Sequence, residues 1–178
     1  MCSHREKARL RKNNLHMKRV IVIGCPGSGK STFAIRLHQA TGLPLYHLDA
    51  IWHKPDKTYI SRENFDLRLS EIMGSDEWII DGNYSRTLEM RLRACDIVFL
   101  FDLPTEVCLD GAFKRLGVER SDMPWTEREL DLTFQREIEK FRYDKLPKIY
   151  DSIEKYRQNK KIFIFRTRME SEMFLSKF

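Results

Sequence analysis

Apolar residues in this chain fall into two patterns. Short β-branched or aromatic runs occur at residues 19–23, 45–48, 78–80, 97–101 and 162–165, and each reads as a buried or half-buried strand. Between them, apolar positions recur every three or four residues, the spacing of one helix face. Residues 31–40 place Phe33, Ala34 and Leu37 together ahead of Gly42 and Pro44, and residues 61–73 place Phe65, Leu69 and Ile72 together behind Ser61, a residue suited to cap a helix. A short helix is expected over 85–93, and another from Pro104, which a first helical turn tolerates, to 115. Thr126-Glu127-Arg128-Glu129 reads as a capping box opening a helix with Leu130, Phe134, Ile138 and Phe141 in one stripe. Pro147 breaks that helix, a further one runs to about residue 157, and a terminal helix follows the fifth strand. Residues 54–58 read as a polar loop and 117–125 as irregular. Strands alternating with helices predict an α/β fold, an open parallel sheet covered on both faces.

The chain has 178 residues, 42% of them hydrophobic, which suits one folded unit with a real core and excludes a disordered chain. Its longest apolar runs are far shorter than the ~20 residues of a membrane span, so no membrane partner is expected. The net charge of +6 is unevenly placed: residues 1–19 hold seven basic side chains and one acidic, and residues 20–178 hold 25 of each. The expected organisation is thus a basic flexible arm, residues 1–16, ahead of a neutral folded body from 17 to 178. The arm could be a nucleic-acid or membrane-surface tail, or a plain extension ahead of Met17; the neutral body lowers the case for nucleic acid without excluding it through the arm. Cys2, Cys25, Cys95 and Cys108 show no metal-ligand spacing and read as free thiols of a reducing cytoplasm. The five histidines form no HxxxH pair, so a protein-held transition metal is not expected. A monomer or homodimer fits the size.

The strongest chemical signal is Gly24-Cys25-Pro26-Gly27-Ser28-Gly29-Lys30-Ser31-Thr32, a strand, a glycine-rich turn and then a helix. Glycines let successive backbone N–H groups converge on an anion, and the helix N-terminus adds its partial positive charge. Lys30 is expected to reach the β- and γ-phosphates of ATP, and the Ser31 hydroxyl to ligate Mg²⁺. Gly24, Pro26, Gly27, Ser28, Gly29 and Thr32 complete the nucleotide cradle. Cys25 reads as a passive occupant. No N/T-K-x-D base-reading motif of a GTPase is present.

In open parallel sheets ligands sit beyond the carboxyl ends of the strands. Three predicted strands deliver aspartates there: Asp49, Asp81 and Asp102. Asp81, followed by Gly82, is expected to hold Mg²⁺; a turn or helix cap is its alternative. Asp49 is expected to orient an acceptor hydroxyl or join the metal shell, or else to form a turn. Asp102 is expected to cap the next helix, and His47 to be a hydrogen-bonded core residue. Trp52 could form an apolar wall, stack on a base, or pack in the core or lid. Phosphoryl transfer needs neutralising charge, which singles out Arg115 and Arg120 for the transferring group and Arg86 and Arg128, with Tyr84 beside the Asp81 turn, for the acceptor. Arg91 and Arg93 read as surface residues.

These motifs together resemble the adenylate-kinase-like, or nucleoside monophosphate kinase-like, branch of P-loop proteins, and within it the bacterial DNA topology modulation (FlaR-related) proteins. The resemblance runs from about Met17 to the end, anchored on the glycine-rich loop, Tyr46-His47-Leu48-Asp49, residues 78–86 from Trp78 through Asp81-Gly82-Asn83-Tyr84-Ser85-Arg86, and Phe101-Asp102-Leu103-Pro104. It implies a three-layer P-loop NTPase sandwich with a five-stranded parallel sheet of order 2-3-1-4-5 and a short lid over about residues 115–128. It also implies an ATP- and Mg²⁺-dependent phosphotransferase acting on a nucleotide or another small acceptor, or alternatively a nucleotide-dependent DNA-associated protein. Asp81-Gly82 match the kinases' Asp-Gly-Phe-Pro-Arg segment, but Asn83-Tyr84-Ser85 replace its middle and Arg86 falls one residue late. Arg115 falls on a phosphate-contacting lid arginine, Arg120-Ser121-Asp122 resembles the arginine–acid pair after the lid, and Gly111 stands where another arginine is expected. The Thr-Gly-Asp segment of the monophosphate site is absent, so ATP carries over and AMP as acceptor does not.

Overall fold

The computed structural model describes residues 17–178. The basic arm, 1–16, and with it Cys2, lies outside the described residues. Five strands, β1 (Arg19–Gly24), β2 (Leu45–His47), β3 (Trp78–Asp81), β4 (Ile97–Phe101) and β5 (Lys161–Phe165), form one parallel sheet in the order β2-β3-β1-β4-β5. This is the topology that the resemblance implied. The helices are α1 (Lys30–Thr41), α2 (Leu48–Trp52), α3 (Arg62–Met73), α4 (Ser85–Ala94), α5 (Thr105–Lys114), α6 (Leu132–Asp144), α7 (Leu146–Lys155) and α8 (Arg168–Leu175). Among the described residues no helix is long and apolar enough to cross a membrane.

The central strands carry unbroken apolar runs because both of their faces are covered: every residue of β3 and β4 is buried. The odd-numbered phenylalanines Phe99 and Phe101 of β4 and Phe163 and Phe165 of β5 share one face. There they meet Phe33 of α1 and Phe174 of α8, with the Phe33–Phe99 and Phe99–Phe174 rings 4.8 and 4.9 Å apart in edge-on contact. α4 packs on β1 and on α7.

Three local expectations need correction. The second strand stops at His47, and the chain turns at once into α2, so Asp49 lies in the first turn of a helix and not at a strand end. The Thr126–Glu129 capping box does not form. The Glu127 carbonyl accepts from the Gly117 N–H (2.7 Å) and its carboxylate pairs with Arg115 (3.4 Å) and Arg120 (3.6 Å), which keeps residues 126–129 in the irregular segment. α6 therefore begins later, with the Asp131 carboxylate accepting from the Thr133 N–H (3.1 Å). Asp102 does not cap α5, whose first turn follows Pro104 without a side-chain cap. Its carboxylate accepts instead from the Tyr150 hydroxyl (2.7 Å) and pairs with Arg142 (3.5 Å), tying the end of β4 to α7 and α6.

One close approach fixes the glycine-rich loop against α5. Gly27 has φ +77°, and a Cβ there would overlap the Cys108 carbonyl oxygen. Reciprocally, a Cβ on Gly111 would overlap the Gly27 carbonyl oxygen and crowd the Arg168 guanidinium, so no arginine fits where the resemblance expected one. Gly111→Ala tests this contact. Alanine favours the helix by about 1 kcal/mol, but overlap with backbone outweighs it. The expected result is a net loss of about 1–2 kcal/mol, read as a lower urea midpoint at unchanged slope.

Candidate active site

The parallel register brings the chemistry together. Asp81 ends β3 paired with Val22 of β1 and with His47 of β2, which aligns the carboxylate with the strand that feeds the glycine-rich loop. His47 Nδ1 lies 2.8 Å from Asp81 Oδ2, and both side chains are nearly closed off from solvent. Asp81 Oδ1 is buried without a partner. Ser28 Oγ, His53 Nδ1 and, at the far end of β3, Trp78 Nε1 are likewise buried without a hydrogen bond, and Arg115 Nε has only its ion pair with Glu127. Buried polar atoms in proteins are nearly always satisfied, so unsatisfied ones in the loop (Ser28) and at the strand end aligned with it (Asp81) mark a candidate binding place.

The loop runs from Gly24 to the start of α1 at Lys30. Lys30 is buried, and its ammonium makes no hydrogen bond or ion pair among the described residues. Ser31 sits half-buried in the first turn and Thr32 is exposed. The loop is anchored at its entry by Asn83, whose side-chain amide bonds Gly24 twice: the Gly24 N–H donates to Oδ1 (2.9 Å) and Nδ2 donates to the Gly24 carbonyl (2.6 Å). Cys25 is buried; a hydrogen bond with Cys108 and then burial push its thiol above the ordinary range, as an inert occupant requires.

Asn83 is held in turn by Arg91, which is fully buried and not at the surface. Its guanidinium donates to the carbonyls of Gly82 (2.7 Å), Asn83 and Tyr84 (3.1 Å). Desolvation lowers its pKa to about 10, and the three carbonyls are what let the charge stay inside. Arg91 lies on the buried stripe of α4 with Thr87, Leu88 and Leu92, and a charge on an apolar stripe was the signal that composition alone missed. The bracketed turn puts Tyr84 in the left-handed region, φ +34°. That strain is held from both ends, by Arg91 on its carbonyl and by its hydroxyl donating to Asp49 Oδ1 (2.9 Å).

Asp49 shares an electrostatic neighbourhood with Lys30, Tyr84, Asp81 and His53. Burial, the largest influence, holds its carboxyl above the usual carboxylate range, against the pull of Lys30 and Tyr84. Beside it stands an aromatic wall. Trp52 stacks on Tyr59 (5.5 Å between ring centroids), Tyr84 stacks on Phe65 (5.0 Å), and His53 meets Trp125 edge-on (4.9 Å). Trp52 is half-buried and belongs to this wall.

The arginines divide. Arg115 and Arg120 come together in the segment between α5 and α6: both pair with Glu127, Arg120 also pairs with Asp122 (3.0 Å), and Arg115 lies over the Phe134 ring (5.1 Å). Arg128 is exposed nearby. Arg86 is exposed and donates twice to Asp66 (2.7 and 2.6 Å), so both arms of its guanidinium are occupied.

No protein-family model matches the chain. Among curated proteins it is similar to an adenylate kinase of Thermotoga maritima, 28% identical over 146 residues that cover 77% of this chain and 64% of that protein. The chain thus spans just under two thirds of that relative's length. Among solved structures it superposes on shikimate kinase from Bacteroides thetaiotaomicron with a TM-score of 0.53 and 16% identity, covering 91% of this chain and 96% of that one. It also superposes on shikimate kinase from Acinetobacter baumannii with a TM-score of 0.52 and 16% identity, covering 90% of each. The fold is that of the P-loop kinases. At such identities the superpositions establish architecture alone.

The buried carboxyl of Asp49 gives the site a stability signature. Because burial raises the folded-state pKa, stability falls as pH rises above the ordinary carboxylate range and is unaffected where both states keep the proton. Asp49→Asn, which can still accept from Tyr84, is expected to raise the unfolding free energy at pH 7 by on the order of 1 kcal/mol. The gain shrinks as pH falls toward the ordinary carboxylate range, and paired denaturation curves across pH check it.

Proposed function

We propose that the protein is an ATP-dependent phosphotransferase that uses magnesium and moves the γ-phosphoryl group to a small-molecule acceptor. The observation that carries this reading is the unpaired, buried ammonium of Lys30 at the head of α1, set beside a glycine-rich loop whose entry Asn83 anchors. Backbone N–H groups of Gly27 to Lys30 would grip the β- and γ-phosphates, with Lys30 neutralising them. The similarity to an adenylate kinase and the kinase fold support the same reading.

The donor set also fits magnesium: a hydroxyl from Ser31 and the free, buried Oδ1 of Asp81, both hard oxygens. Bound there, the ion would supply charge neutralisation along the phosphates. His47 orients the Asp81 carboxylate through its other oxygen. Arg115 and Arg120 sit on the 115–128 segment, which we assign as the lid, where they neutralise the transferring group and their carboxylate partners fix their planes. Trp125 and Arg128 come with that segment. Asp49, Trp52 and Tyr84 face the acceptor. Attack by the acceptor is direct, so no covalent nucleophile is required.

The narrower placement among DNA topology modulation proteins rests on the motif resemblance. A DNA-bound role would draw on the basic residues at 5–19, whereas the remaining chain balances its charge, which favours a small acceptor over a nucleic acid.

Turnover tests the proposal. ADP release from Mg·ATP should rise above the hydrolysis background when a panel of small acceptors is supplied. Lys30→Ala should lower the stimulated rate at least about a hundredfold while leaving the denaturation midpoint near that of wild type. A Lys30→Ala variant as active as wild type contradicts the assignment.

A further inference from the structure

We propose that the acceptor is an electrically neutral hydroxyl compound built on a ring, of the nucleoside or cyclic-sugar class, whose hydroxyl is held by Asp49 against the wall of Trp52, Tyr84 and Trp125. This rests on the phosphotransferase reading above and narrows it.

The charges beside Asp49 are the first observation. The two arginines that chain order brings nearest an acceptor are both taken: Arg86 faces solvent in a double bond to Asp66, and Arg91 is sealed under the 82–84 turn with carbonyl partners. Arg115 and Arg120 are matched by Glu127 and Asp122, and with Lys30 they are the cations the triphosphate itself requires. Arg128, on the same segment as Arg115 and Arg120, is exposed to solvent. An anionic acceptor placed against Asp49 would meet two carboxylates, Asp49 and Asp81, and no buried cation beyond those the triphosphate engages, and like charges in a desolvated site repel strongly. A neutral hydroxyl meets no such penalty and adds a hydrogen bond to the one Asp49 already accepts from Tyr84.

The shape of the site is the second. Trp52, Tyr59 and Tyr84 form an aromatic surface backed by the fully buried Phe65, and Trp125 reaches His53 from the segment between α5 and α6. Such a surface takes a flat base or the CH face of a sugar ring. His53 Nδ1 is buried beside Asp49 without a partner, and offers a second polar contact to a ligand that carries several hydroxyl or amide groups. The raised proton affinity of Asp49 suits it to take a proton. As the acceptor oxygen bonds to the γ-phosphorus, its O–H proton passes to the Asp49 carboxylate. The bond from the γ-phosphorus to the β–γ bridging oxygen breaks, and its electron pair leaves with ADP.

The test is ADP release by the full chain with Mg·ATP and three sets of acceptors: nucleosides and cyclic sugars, the matching monophosphates, and small hydroxy acids. ATP binding is measured separately by calorimetry. The inference expects at least about a tenfold stimulation by a neutral compound and none by the charged sets. Asp49→Asn should lose about a hundredfold or more of the stimulated rate while ATP affinity stays within about twofold. Stimulation by monophosphates or hydroxy acids alone overturns the inference and leaves the phosphotransferase reading standing, as does full stimulated activity in Asp49→Asn. ATP binding with no stimulation by any compound overturns both.

Discussion

The site depends on the glycine-rich loop being held before any ligand arrives. Backbone N–H groups can converge on phosphate only if the chain that carries them does not relax toward solvent. Two contacts prevent that. Asn83 bonds the amide and the carbonyl of Gly24, fixing the loop where it leaves β1, and the Gly27–Gly111 approach lays its middle on α5. Both need particular residues: a carboxamide, which alone offers donor and acceptor side by side, and glycines, because a Cβ at either position overlaps backbone. Arg91 supports the first contact from beneath by holding the 82–84 turn. The loop is thus held in place by Asn83, Arg91 and Gly111, residues that lie outside it.

Charge follows the same logic. Where arginines occur near the loop, each is matched to a carboxylate or sealed against carbonyls, and Lys30 alone at the head of α1 is left without such a partner among the described residues. The oxygens Asp81 Oδ1 and Ser28 Oγ and the nitrogen His53 Nδ1 are also buried without a hydrogen bond. A fold that leaves polar atoms buried and unpaired gives up stability, and the raised pKa of Asp49 is another instance of that trade.

Much of this was legible in the residue order. Strands β3 to β5, the Ser61-capped helix and the loop at 24–31 follow from apolar runs and local chemistry, because each is decided by neighbours in sequence. What escaped is decided by distant partners. Glu127 reads as a helix-opening residue until Arg115 and Arg120 claim it. Asp102 reads as a cap until Tyr150, 48 residues on, takes it. Asn83 carries no local mark of the clasp it makes on Gly24, 59 residues away, since nothing nearby distinguishes it from a turn asparagine. Arg91 could have been read, because its spacing with Leu88 and Leu92 places a charge on the core face of α4, a position that requires buried acceptors. Gly111 was a departure from the resemblance whose cause, the carbonyl of Gly27, only the fold reveals.

The most direct measurement is calorimetric titration of Mg·ATP into the full chain and into Asn83→Ala. A held loop predicts saturable one-to-one binding to the wild type and an affinity weakened about tenfold, or about 1.4 kcal/mol, in the variant. No binding to the wild type, or equal affinity in the two proteins, would contradict the account.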